Sequence, residues 1–193
     1  MALTHSTMTP LGTKAPHFSL PNYDGATISL DQFADGPGLL VMFISNHCPF
    51  VIHLKEALAT LGAHYATTFP MVAIGSNDVS KYPVDGPNQM AADVKKFGYP
   101  FAYLYDETQE VAKTYGAACT PDFFLFDGDL RLRYRGQFDD SRPGNDKPTD
   151  GRDLRAAMDA LLSGEAVAEV QRAGIGCNIK WRPGNEPDYF DLG

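Results

Sequence analysis

Cys48 stands in Ser45-Asn46-His47-Cys48-Pro49-Phe50, where an apolar run gives way to a helical pattern. A cysteine at the mouth of a helix can accept hydrogen bonds from free backbone N–H groups, and the positive end of the helix dipole favours its thiolate. Thiolate is the nucleophile in disulfide exchange and in peroxide reduction. The placement therefore predicts an exposed, electron-rich sulfur. His47 can add positive charge beside it, while Asn46 and His47 suit a tight turn equally well. The competing reading of Cys48 is a buried structural cysteine that packs as a small hydrophobe.

Two further thiols, Cys119 and Cys177, lie far from Cys48 in the chain. An odd, sparse set argues against a disulfide scaffold and for reduced thiols. No Cys or His pair has the close ligand spacing of a structural zinc site. Copper would suit a thiolate with a histidine, yet the sequence places no second sulfur near Cys48. Cys177 alternates with Ile175, Ile179 and Trp181, which predicts a packed tail residue. Asp78, Asp85, Asp139 and Asp140 read as solvated or capping loop charges.

Periodicity supplies the elements that must position Cys48. Leu39-Leu40-Val41-Met42-Phe43-Ile44 suits a strand buried on both faces. Val51, Leu54, Leu58, Leu61 and Tyr65 then recur at helical spacing. Pro49 takes the first helical position, where its missing N–H costs nothing, so Cys48 becomes the cap. Residues 69–74 and 101–105 read as strands. The stretch 76–88 is a polar loop whose Tyr82-Pro83-Val84-Asp85-Gly86-Pro87 continues no regular element. Met90, Val94 and Phe97 mark one helix, and Val111 and Tyr115 another capped by Asp106-Glu107-Thr108. Asp127-Gly128 joins residues 123–126 and 130–136 as a hairpin. A last helix carries Leu154, Met158, Leu161 and Leu162.

A hairpin over residues 15–30 precedes all of these. Strand–helix alternation closed by a hairpin predicts an α/β fold, a central mixed sheet with helices on both faces. Residues 1–164 form one domain. The tail, 165–193, is expected to dock on it in extended form, because exposing Trp181 and two isoleucines together is costly.

Composition narrows the function classes. A net charge of −8 over 193 residues argues against nucleic acid as a partner. Arg131, Arg133 and Arg135 alternate along one strand and read as a solvated edge. No run reaches the ~20 apolar residues of a membrane helix. Residues 1–16 lack the basic start and apolar stretch of a secretory signal, so a cytoplasmic address is expected.

Four segments carry a family likeness: Asn46-His47-Cys48-Pro49-Phe50-Val51; Asp106-Glu107-Thr108-Gln109-Glu110-Val111-Ala112; Cys119-Thr120-Pro121-Asp122 with Phe124-Leu125-Phe126; and Gly176-Cys177-Asn178-Ile179-Lys180-Trp181 with Pro183-Gly184-Asn185-Glu186-Pro187. In this order they resemble the thioredoxin superfamily, in its alkyl hydroperoxide reductase and thiol-specific antioxidant branch. More narrowly, the chain is similar to a peroxiredoxin-like group of thiol-disulfide isomerases.

The resemblance implies a thioredoxin-like fold and makes Cys48 the attacking cysteine of a CxxC motif whose second place holds Val51. Peroxiredoxins carry their peroxide-attacking cysteine at the place of Val51, with Thr and Pro where Cys48 and Ile44 stand here. The peroxide-activating set is therefore missing. Met42 occupies the place of a buried carboxylate found in some thioredoxins, which leaves proton transfer to another group or to water. Thr120-Pro121 matches the cis-proline loop that lies against the active cysteine. By the same likeness the Thr120 backbone is free to pair with an extended peptide. Cys119, one residue before that loop, is the candidate resolving thiol, although alternation turns it away if Thr120 faces the site. An external thiol or a partner subunit could resolve instead.

The expected function is a thiol-dependent oxidoreductase acting on a protein disulfide or a small hydroperoxide, regenerated by an external thiol reductant. Cys48 is its catalytic residue, with Asn46, His47, Pro49, Phe50, Thr120 and Pro121 around it. It requires no cofactor and no metal. One alternative is a redox-inactive module in which the Thr120-Pro121 loop and Phe50 hold a peptide or protein. A copper carrier ranks after that.

Overall fold

The computed structural model describes residues 3–190. Its first half runs β1 (Leu3–His5), β2 (Ser19–Pro21), β3 (Thr27–Ser29), β4 (Gly38–Phe43), α1 (Pro49–Tyr65), β5 (Met71–Gly75) and α2 (Pro87–Phe97). The second half runs β6 (Ala102–Tyr105), α3 (Glu110–Tyr115), β7 (Cys119–Thr120), β8 (Asp122–Asp127), β9 (Leu132–Gly136), α4 (Arg152–Ser163) and β10 (Ile175–Asn178).

The central sheet has the order β6-β5-β4-β8-β9. β4, β5 and β6 are parallel, β8 runs against them, and β9, antiparallel to β8, returns to their direction. All six residues of β4 are buried, because alternate side chains serve two cores. Leu40 and Met42 pack with Leu54 and Leu58 of α1, Met90 of α2 and Leu154 of α4. Leu39, Val41 and Phe43 pack on the other side with Val111 and Tyr115 of α3, and with Ile179 and Trp181 from beyond β10. Helices thus cover both faces, as a mixed α/β sheet requires.

One register places the chemistry. Phe43, the last residue of β4, stands opposite Asp122, the first of β8. The turn leaving β4 toward Cys48 and the loop entering β8 from Pro121 therefore emerge at the same end of the sheet. A second, three-stranded sheet of order β1-β10-β7 closes over that end. In it Cys177 pairs with Thr120 on one side and with Leu3 on the other. Gly176 is required there, since a Cβ would overlap the Thr120 carbonyl. Neither β1 nor β7 shows in the sequence pattern. At two or three residues each, they are too short to display a period and exist through their partner strand.

Candidate active site

Cys48 is the N-cap residue of α1, with Pro49 in the first turn. Its Sγ lies 3.1 Å from the Thr120 carbonyl and donates to it as a thiol. The Cys177 thiol hydrogen-bonds to the same sulfur, and this contact does most to lower the Cys48 pKa, to about 5. Burial opposes it; the Thr120 side chain and the N–H groups of Val51 and Cys177 assist. The same contact pushes the Cys177 thiol upward, with burial adding to it. Of the two sulfurs, Cys48 is therefore the one whose ionised form the surroundings favour. The backbone contribution of α1 is secondary. No N–H of its first turn closes a capping hydrogen bond onto Sγ, so Val51 acts as an oriented dipole.

Two expectations need correcting here. Cys48 is 1% exposed, not open to solvent, because β10 and the Thr120 loop close over the mouth of α1. The Thr120 backbone is likewise not available for an extended peptide, since β10 already pairs with β7 at that residue.

The candidate resolving thiol also changes. Cys119 is fully buried, and its Sγ faces the Pro121 carbonyl at 3.6 Å. Burial and the neighbouring Asp122 carboxylate push its pKa well up. Cys177, expected as inert packing, is the thiol that meets Cys48. The structure thus brings a second sulfur to Cys48 that sequence spacing did not reveal. All three cysteines are thiols rather than disulfides. The peptide bond between Thr120 and Pro121 is cis.

The turn before Cys48 is held by side chains from the polar loop. Asp85, read from sequence as a loop charge, is 2% exposed. Its carboxylate accepts from the Asn46 N–H at 2.7 Å and the Asn77 amide at 2.8 Å, and lies 2.6 Å from His47 Nδ1. His47 also stacks on Tyr82. The Asn46 amide reaches the Val84 carbonyl at 2.8 Å, and its oxygen accepts from the Tyr103 hydroxyl at 3.0 Å. Lys55 donates to the Asn46 carbonyl at 3.1 Å and pairs with Asp93 at 2.5 Å. A buried network this fully paired fixes one geometry. Asp78 and Asp139 are also buried, where Asp78 accepts from Ser80 and Asp139 from the N–H groups of Ser141 and Gly151. Their position within Pro- and Gly-rich loops was the one available signal, and it did not separate capping from site-building.

The tail beyond β10 is tied to the same region. Asn77 accepts from the Lys180 N–H at 2.8 Å, and the Asp78 N–H donates to the Lys180 carbonyl at 2.8 Å. Gln109 donates to that carbonyl at 2.9 Å and accepts from the Arg182 N–H at 2.8 Å. Among the described residues, no three His, Cys, Asp or Glu side chains converge as a metal site.

With Cys48 at a strand–helix junction against a proline loop, residues 11–135 of the chain match a family model, the AhpC/TSA family. The chain belongs to the AhpC/TSA family. This AhpC/TSA chain is similar to a hypothetical protein from Sinorhizobium meliloti 1021 (53% identity, TM-score 0.91), over 93% of this chain and 98% of that one. An uncharacterized conserved protein from Geobacillus kaustophilus is similar over 95% of this chain and 98% of its own (51% identity, TM-score 0.92). At the level of fold alone, the likeness extends to a secreted disulfide oxidoreductase of Mycobacterium tuberculosis (16% identity, TM-score 0.56), over 76% of this chain and 95% of that one. The fold is thioredoxin-like. Chloroplastic peroxiredoxin Q of Populus jackii is 27% identical over 105 residues, which is 54% of this chain. The match spans 46% of that protein's length, less than half.

Proposed function

We propose that this protein is a thiol–disulfide oxidoreductase whose nucleophile is Cys48. The observation that carries the reading is a sulfur at the β4–α1 junction, in contact with the Thr120-Pro121 loop and surrounded by groups that favour its thiolate. The thiolate attacks one sulfur of a substrate disulfide. The old S–S bond breaks as a mixed disulfide forms on Cys48, and the leaving thiolate takes a proton from water. A second thiol then displaces the remaining substrate half, and an external thiol reductant restores the starting state.

A disulfide fits the site better than a hydroperoxide. Cleaving an O–O bond requires donors or a cation at the departing oxygen. Among the described residues no Arg or Lys side chain hydrogen-bonds Cys48, whereas a thiolate leaves with less help. His47, Pro49 and Phe50, which flank Cys48 in the chain, are half-buried, and this reading takes them as the side from which a substrate approaches. With β10 holding the Thr120 edge, that substrate is a small or flexible disulfide rather than a strand that adds to the sheet. The peptide-binding alternative loses its docking edge for the same reason. We place the protein in the cytoplasm, where sparse reduced thiols persist; no helix among the described residues is long and apolar enough to cross a membrane.

Turnover of a small disulfide with excess dithiol tests this function. Cys48→Ser is expected to reduce the rate to the uncatalysed background, and a rate within a few fold of the native protein rules the reading out. Copper carriage gains one point from the Cys48–Cys177 pair, because two soft sulfurs suit Cu(I). Cu(I) titration against a competing chelator decides it, and binding no tighter than that of an ordinary thiol closes it.

A further inference from the structure

We infer that Cys177 is the resolving thiol of Cys48, presented by the chain's own β10 strand in the place where an extended substrate would pair. The inference rests on the reading of Cys48 as the nucleophile, and three observations carry it. First, Cys177 is in register with Thr120, the residue whose carbonyl accepts the Cys48 thiol. Residues directly opposite in an antiparallel pair share a face, so Cys177 stands on the face of the Thr120 side chain, which also hydrogen-bonds Cys48. Second, the two thiols are hydrogen-bonded and lie in one buried cluster. Third, the strand is fixed. Gly176 passes against the Thr120 carbonyl where no side chain fits. β1 pairs along its other edge, and the Lys180 and Arg182 backbone is pinned by Asn77 and Gln109.

This arrangement supplies what Val51 cannot. In a CxxC motif the second thiol follows one helical turn later, whereas here that position faces the core. Cys177 reaches the same sulfur from a strand 129 positions further along the sequence. After Cys48 has formed a mixed disulfide with half of the substrate, Cys177 gives up its proton and its sulfur attacks Cys48 Sγ. The bond between Cys48 and the substrate breaks, and the departing thiolate takes up that proton. Over both steps the protein dithiol loses two electrons and becomes a Cys48–Cys177 disulfide, while the substrate disulfide becomes two thiols. An external dithiol then reduces the internal disulfide. No further oxidant is required.

The test treats fully reduced protein with one equivalent of glutathione disulfide under anaerobic conditions. Samples are quenched with acid and alkylating agent at intervals and mapped by mass spectrometry. The native chain and Cys119→Ala are expected to give a Cys48–Cys177 crosslink, with both glutathione halves released as thiols. Cys177→Ala and Cys177→Ser are expected to stop at the Cys48–glutathione mixed disulfide, with a lifetime at least about tenfold longer. The native-chain crosslink is read directly, so the outcome does not depend on a variant folding well. A native mixed disulfide as long-lived as that of Cys177→Ala overturns the role of Cys177 while leaving Cys48 as nucleophile. A crosslink to Cys119 does the same. Absence of any modification at Cys48 in every protein overturns both readings together.

Discussion

Cys119 and Cys177 lie on paired strands, one register step apart, and their surroundings differ in kind. Cys177 stands opposite Thr120, and Cys119 stands opposite Asn178. The pleat therefore directs one sulfur to the Cys48 face and the other to the far side of the ladder. There Cys119 meets the Pro121 carbonyl, and burial with the Asp122 carboxylate disfavours its ionised form. Both residues are buried. Closeness along a loop does not bring a thiol to Cys48; the face of the strand decides.

The largest effect is expected from forcing the Cys177 side apart. Gly176→Val places atoms where the Thr120 carbonyl stands, at a cost of about 2–4 kcal/mol in chemical denaturation, and it abolishes the internal crosslink. Native-like stability with the crosslink intact would show that β10 does not need its close approach to Thr120.

On the Cys119 side, burial raises the Asp122 pKa to about 7, opposed by the hydrogen bond from Ser6. An unfolded Asp releases its proton near 3.9, while the folded one keeps it until about 7. Between those values the unfolded chain binds fewer protons, so stability should fall as pH rises from about 4 to about 7, by on the order of a few kcal/mol at most. Denaturation midpoints across that window measure it, and Asp122→Asn should flatten the curve. An equal slope in the variant would assign it to another group.

Cys177→Ala sharpens the contrast next. It removes the leading cause of the lowered Cys48 pKa, so the midpoint of thiolate absorbance against pH should move up from about 5 toward the ordinary value near 8.5. At a pH just above the native midpoint the thiolate fraction should drop by up to roughly several hundred-fold. The single-turnover rate should drop less, by at least about tenfold, because the more basic thiolate that remains is a better nucleophile. An unmoved midpoint would transfer the effect to Thr120 and the backbone N–H groups. Cys119→Ala is the smallest change. It should cost about 1 kcal/mol from a small cavity and leave disulfide formation untouched; slowed resolution would reverse the comparison drawn between the two thiols.

Much of the frame could be read from periodicity. The six-residue apolar run became β4, the Leu54-Leu58-Leu61 stripe became the buried face of α1, and Asp127-Gly128 turned the β8–β9 hairpin. These signals are local and repeat along the chain. The site was legible only at Cys48 and at the proline loop, where a thiol and a Pro punctuate element ends. Cys177 is packed, as its pattern predicts, but its alternation with Ile175, Ile179 and Trp181 says only that one face is buried, not against what. Asp85 was misjudged because a carboxylate in a Pro- and Gly-rich loop looks the same whether it meets water or three donors. Pairings such as Cys177 with Thr120, or Asp85 with Asn46, span tens of residues and leave no period behind.

The β1-β10-β7 ladder draws residues 3–5, 119–120 and 175–178 into one sheet over Cys48. During synthesis the β4–α1 junction leaves the ribosome well before residue 177 is made, and domains assemble from the N-terminal side first at about 5–20 residues per second. For the interval of those 129 steps the nascent chain carries Cys48 without the strand that will cover it. Until β10 arrives, the fold gives the Cys48 sulfur no cover against oxidation.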